Sequence, residues 1–180
     1  MVQINKLLGN KKNIHLLTFF LNNPSQEYTY TAIRKHTKIS KATLTKWLSF
    51  LTKENLLLLK PIGRNKLYSL HKDSTIIKQL KILLTIQKLT FLSEIAIQQG
   101  IEIYLYGSAA RGEDNENSDI DILIIGSINR EKIFSVIEKQ TKTLKMPIRF
   151  QIFTPVEWTK CATQDLAFYQ RVEQDKIRVQ

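Results

Sequence analysis

Asp119 and Asp121 stand one residue apart in SDIDILII, Ser118 to Ile125, a run that is otherwise aliphatic after its serine. Strand alternation puts Asp119, Asp121, Leu123 and Ile125 on one face and Ile120, Ile122 and Ile124 on the other, so both carboxylates point the same way. Two like charges on such a strand are costly unless a cation offsets them. Just upstream, IEIYLYG, Ile101 to Gly107, alternates and is rich in β-branched and aromatic residues, as a strand is. It stops at Gly107-Ser108, and AARG then has helical character. A strand passing through glycine into a helix start presents backbone N–H groups suited to phosphate. Gly107 lets a phosphate approach the backbone, Ser108 adds a hydroxyl, and Arg111 follows one turn on. Hard oxygen ligands beside a phosphate cradle are what Mg²⁺ or Mn²⁺ carrying a nucleoside triphosphate requires, because such ions take one or two protein carboxylates plus phosphate oxygens.

Taken whole, GSAARGEDNENSDID has the form GSxxRGxxxxxSDxD and resembles the signature of the polymerase-β-like nucleotidyltransferase superfamily, in particular its minimal branch. The resemblance implies a mixed sheet flanked by helices, with ATP as the expected nucleotide. It also implies that Gly107 and Ser108 bind the triphosphate, that Arg111 and Gly112 shape the loop, that Ser118 supports it, and that Asp119 and Asp121 hold the metal and carry catalysis. Members of that superfamily usually add a third acid on a neighbouring strand. The candidate strand is PIRFQIF, Pro147 to Phe153, where Ile148, Phe150 and Ile152 form the core face and Arg149, Gln151 and Phe153 the other. The third acid is therefore replaced by Gln151 or Arg149. Neither is a base at neutral pH, and Arg149 attracts phosphate while repelling a second cation. Any general base must come from elsewhere, Glu157 being one candidate.

The elements ahead of this motif have a different chemistry. Of the formal charge of +11, residues 1 to 99 carry 16 Lys and Arg against 4 Asp and Glu, whereas residues 100 to 180 carry 11 against 12. A basic front half beside a neutral rear half points to two modules, the first facing a polyanion. Ile14, Leu17, Phe20 and Leu21 recur at helical spacing before NNPS; a shorter helix over Thr29 to His36 turns Ala32 and Ile33 inward. In Lys41 to Asn55, Leu44, Trp47, Leu48 and Leu51 form one buried stripe, with Ser40 as N-cap. The remaining face offers Lys41, Thr43, Thr45, Lys46, Ser49 and Lys53, types that reach base edges and phosphates. LLLLKPIGRNKLYSLHK then reads as a β-hairpin with Gly63, Arg64 and Lys66 at its tip. Two helices, a turn, a basic helix and a hairpin resemble winged-helix regulators of the MarR-like or ArsR-like kind. By that resemblance DNA is the partner of residues 1–73, met by Ser40, Lys41, Thr43, Thr45, Lys46, Arg64 and Lys66.

From Ser74 to Gln99 a long helical stretch is apolar on more than one face. It either packs between the modules or pairs with its copy in a homodimer. The expected organisation is an α+β chain of two domains: a winged helix-turn-helix over 1–73, a linker or dimerisation helix over 74–99, and a nucleotidyltransferase domain over 100–180. That order resembles a prokaryotic group in which a MarR-like winged helix precedes a nucleotidyltransferase. Cys161 stands alone and forms no internal disulfide, and with 3 His and 1 Cys no zinc-ligand spacing arises. No run is apolar enough to span a membrane and the start lacks the form of a secretory signal, so a cytoplasmic protein is expected. Three functions stay open. One is Mg²⁺-dependent transfer of a nucleoside monophosphate to a protein or small acceptor. Another is a catalytically inactive, nucleotide-sensing transcriptional regulator, and the third an antitoxin-like partner of a toxin.

Overall fold

The computed structural model describes residues 7–144 and 146–179. Residues 1–6, part of the stretch read for a leader, lie outside them. The chain divides into two compact units, Met1–Lys78 and Gln79–Gln180, so the stretch expected as a linker over 74–99 is split between them.

In the first unit α1 (Lys11–Leu21) is capped by Asn10, whose side chain accepts from the backbone N–H of Lys12 and Asn13. Its buried face is Leu16, Leu17, Phe20 and Leu21. Ile14, expected inside, is 38% exposed. Asn13 takes the inward position instead, where its side-chain N–H₂ donates to the carbonyl of Leu7 at 2.9 Å. A two-residue strand β1 (Tyr28–Thr29) leads into α2 (Tyr30–Thr37), capped by Thr29 and ended by Lys38 at φ 55°. In α3 (Lys41–Lys53) Leu44, Trp47, Leu48 and Leu51 are buried, as the stripe requires. Ser40 stands at the N-cap position without capping; its hydroxyl bonds that of Thr43 at 2.9 Å. Strands β2 (Leu57–Ile62) and β3 (Asn65–Leu70) pair antiparallel from Leu57↔Leu70 to Ile62↔Asn65. Gly63 supplies the positive φ of 56° that a two-residue hairpin turn needs. The sheet gains a third strand the sequence did not signal, because β1 pairs with β3.

The long helical stretch is two helices, α4 (Thr75–Lys88) and α5 (Phe91–Gln99). Leu89, Leu92 and Ala96 are buried in the second unit's core. Its remaining elements are β4 (Glu102–Tyr106), β5 (Ile120–Ile125), α6 (Arg130–Leu144), β6 (Ile148–Phe153), α7 (Pro155–Gln164), α8 (Leu166–Asp175) and β7 (Ile177–Arg178). The sheet order is β6-β5-β4-β7, with β5 parallel to β6 and antiparallel to β4, and β4 antiparallel to β7. A parallel pair needs a crossover, and α6 provides it. One face packs Ile103, Leu105, Ile120, Ile122 and Ile124 against Leu89, Leu92, Ile133 and Ile137. The other gathers Tyr106, Leu123 and Ile125 under Trp158, Phe168 and Val172. β5 is thus covered on both faces, which explains its nearly unbroken apolar run and isolates Asp121 as its exception. No described helix is long and apolar enough to cross a membrane.

Candidate functional site

The site forms where β4 ends beside the start of β5. Tyr106 pairs with Asp121 across the antiparallel ladder, so Gly107, one residue on, meets the Asp121 side chain. Gly107 has φ +75°, and a Cβ there would lie 2.8 Å from Asp121 Oδ2. Glycine is therefore required twice, for its left-handed backbone and for the carboxylate pressed against it. The helix start expected over AARG is a three-residue 3₁₀ turn, Gly107–Ala109, in which the N–H of Ala110 and of Arg111 both donate to the carbonyl of Gly107. So short a turn brings little of a helix dipole. Ser108 follows Gly107 in the wall of the cleft.

The rest of the loop is fastened from several sides. Gly112 turns at φ 67°, and its carbonyl accepts from Lys81 Nζ at 3.1 Å. The same buried ammonium pairs with the Asp114 carboxylate at 2.9 Å and also bonds the Asp114 carbonyl. Ser118 closes the loop by accepting from the N–H of Asn115 at 2.9 Å. Arg111 pairs with Glu113 at 2.9 Å and with Asp175. Those two bonds raise its pKa and turn part of its guanidinium toward acids of the protein itself.

Asp119 and Asp121 are not equivalent. Asp119 lies just before β5, beside the cleft and not in its lining, with Oδ2 2.6 Å from a guanidinium nitrogen of Arg149. Asp121 is within β5 and lines the cleft. Burial pushes its carboxyl above the ordinary carboxylate range; Arg149 and Arg171 pull it down and Asp119 adds to the rise. In the parallel ladder Arg149 stands directly across from Asp121, and Gln151 across from Leu123. The neighbouring strand thus presents a guanidinium, not a carboxylate, beside Asp121. Among the described residues no group of three or more His, Cys, Asp or Glu could hold a metal ion. Asp121 in the lining and Asp119 beside it are hard oxygen donors of the kind that, with phosphate oxygens and waters completing the shell, suit one divalent cation.

The cleft before this turn encloses about 820 Å³. Four arginines line it, Arg111, Arg130, Arg149 and Arg171, against the single carboxylate of Asp121. Arg130 opens α6 and Arg171 lies in α8, so neither belongs to the motif and neither was foreseen. The only hint in the sequence is that each is an arginine in a half without excess positive charge. Phe134, 55% exposed, completes the wall with its ring 6.4 Å from that of Phe150. Together they offer an apolar, aromatic surface within a cationic cleft, the pairing that a base and its phosphates need.

A second cleft of about 690 Å³ shares Gln151, Phe168 and Arg171 with the first. Glu157 lies on it, but as one half of a capping box: its carboxylate accepts from the Thr154 N–H at 2.7 Å and from the Thr154 hydroxyl at 2.9 Å. Those bonds hold it below the usual carboxylate range, which makes Glu157 a poor general base.

In the first unit Lys41, Thr45, Lys46, Ser49 and Lys53 are exposed along α3, and Thr43 partly so. Ser40, Arg64 and Lys66 are exposed too, the last two at the hairpin tip. Tyr30 orders this face: its hydroxyl donates to the Lys41 carbonyl at 3.1 Å and meets the Thr45 hydroxyl at 3.2 Å. Lys46 lies over the Trp47 ring at 5.3 Å. The sequence reading did not single out Tyr30.

A family model described as a nucleotidyltransferase domain matches residues 86–177. That span starts within α4, ahead of the motif, takes in β4, β5 and β6, and ends at the first residue of β7. No curated protein matches the chain. Among solved structures, NolR from Sinorhizobium fredii aligns at 22% identity over 51% of this chain and 79% of its own, with a TM-score of 0.36.

Proposed function

Because the chain belongs to the nucleotidyltransferase domain family, we propose that its second unit binds a nucleoside triphosphate, ATP in the first instance, and transfers the nucleoside monophosphate to a hydroxyl of a protein or small acceptor. The observation that carries this reading is the Gly107 turn pressed on the Asp121 carboxylate at the mouth of a cleft walled by arginines. The backbone at Gly107 and the Ser108 hydroxyl hold phosphate oxygens. Arg130 and Arg171 offset their charge, and Phe134 with Phe150 receives the base. Asp119 and Asp121 would hold Mg²⁺ or Mn²⁺, which when bound neutralises charge gathering on the transferred phosphoryl group. The acceptor oxygen bonds to the α-phosphorus as the bond to pyrophosphate breaks, and the hydroxyl proton passes to water. The test is incubation of the purified protein with each nucleoside triphosphate, Mg²⁺ and candidate acceptors, read by mass for released pyrophosphate and a nucleotidylated product. Release with at least one nucleotide is the expected result.

One observation favours a second reading. Arg149 stands across from Asp121, Glu157 is held in its capping box, and the lining of the first cleft offers no carboxylate besides Asp121 to deprotonate an acceptor. A nucleotide bound and not consumed makes the unit a sensor. Tight binding without pyrophosphate release under every condition selects that reading.

The first unit is, in the same proposal, a winged helix that binds DNA, with α3 as the reading helix and the β2–β3 hairpin as the wing. Its support is the exposed basic and hydroxyl face of α3 and the Arg64–Lys66 tip. Lys46→Ala and Arg64→Ala are each expected to weaken DNA binding and to reduce the slope of log affinity against log salt by about 1, the value for one phosphate contact. Unchanged retention on DNA at low salt in both variants removes DNA from the proposal.

A further inference from the structure

The geometry points to Arg149 as a built-in substitute for a second divalent cation, so that the second unit holds its nucleotide with one metal ion and one guanidinium. This rests on the nucleotide reading above. Two-cation sites keep their ions a few ångströms apart, one on each side of shared oxygens, and need carboxylates on both sides. Here the carboxylates are on one side only. Across the parallel ladder, on the same face and in direct register with Asp121, the next strand presents Arg149. Its guanidinium is 2.6 Å from Asp119 Oδ2. A positive charge thus already occupies the place beside the aspartates, and a second divalent ion brought there would meet it as a like charge.

The side chain suits that role. One guanidinium nitrogen meets Asp119, and the side chain is 74% exposed, so its planar fork still has donors to offer the cleft it lines. A phosphate takes such a fork in two parallel hydrogen bonds, as it would take a metal edge. Arg149 differs in this from Arg111, which is engaged by Glu113 and Asp175. Unlike a metal ion, a guanidinium brings no water to deprotonate, so it can bind the triphosphate without activating an acceptor.

The experiment counts Mn²⁺ by electron paramagnetic resonance on the full chain saturated with a non-hydrolysable ATP analogue, and measures the analogue's affinity with and without EDTA. Wild type is expected to hold one Mn²⁺ per nucleotide complex and to keep measurable affinity in EDTA. Arg149→Asp is expected to hold two. Arg149→Gln, which adds no acid, is expected to lose about tenfold or more of the affinity in EDTA, the worth of one charge-assisted phosphate contact. Because the side chain is exposed, both variants should keep the wild-type circular dichroism and melting curve. Two Mn²⁺ in the wild-type complex, one in Arg149→Asp, or an Arg149→Gln affinity in EDTA equal to wild type would each overturn the inference. Absence of any binding to wild type with Mn²⁺ is the separate outcome that sinks the nucleotide reading itself, and this inference with it.

Discussion

Asp121→Asn is expected to lower the proposed Mg²⁺-dependent binding and transfer of a nucleotide on the order of 10²-fold or more, since it removes the one carboxylate that both lines the cleft and abuts the Gly107 turn. The same change should make the apo protein more stable at neutral pH. Burial raises the folded-state pKa of Asp121 above its unfolded value, so the group favours the fold while it is protonated. That contribution is full below the unfolded pKa and is lost as pH rises through the folded one. Asparagine, neutral throughout, escapes the loss. The stability gain of the variant over wild type is therefore expected to be largest near neutral pH and to vanish in acid. Denaturant titrations of both proteins without metal across that range measure it, and a gain that grows toward low pH would contradict the assignment. The wild-type affinity for a divalent cation should fall with acid at a higher pH than an ordinary carboxylate would give.

Lys81→Met is expected to cost the second unit about 3 kcal/mol, because removing one member of a buried pair leaves the other charge uncompensated. Lys81 and Asp114 are 5% and 11% exposed, their contact is 2.9 Å, and the ammonium has further bonds to the carbonyls of Gly112 and Asp114. For a unit of this size that cost corresponds to a fall in melting temperature of about 10 °C or more. Asp114→Leu in the same chain should return much of the loss, since it removes the stranded charge. It should not return nucleotide affinity: the Gly112 carbonyl stays without its tether, and the turn that places Gly107 and Ser108 is held less well. Chemical denaturation of the single and double variants, with nucleotide titration beside it, separates the two effects. A single variant as stable as wild type would show that the pair contributes nothing.

Much of this was written in short-range patterns. The stripe of Leu44, Trp47, Leu48 and Leu51 needs only the helical period, and the two faces of β5 need only strand alternation. The glycine turn, the serine that closes the loop and the paired aspartates stand within fifteen residues of one another. Where the local pattern was ambiguous the reading slipped. Asn13 took the inward place assigned to Ile14 because its amide found the Leu7 carbonyl, and the single long helix after Ser74 became α4 and α5. Strands of two residues, β1 and β7, carry too little sequence to announce themselves.

By itself, then, the sequence determined the Gly107 turn, the strand that carries Asp121, and the basic face of α3, since each follows from spacing along one segment. Only the tertiary structure decided what meets them. Arg149 reaches Asp121 through the register of a parallel pair joined by a helical crossover, Arg130 and Arg171 converge from separate helices, and Lys81 crosses to Gly112 from α4. Register and crossover are set by the packing of whole elements and not by any local period, which is why the aspartates were legible, Arg149 only as an alternative to Gln151, and Arg130, Arg171 and Lys81 not at all.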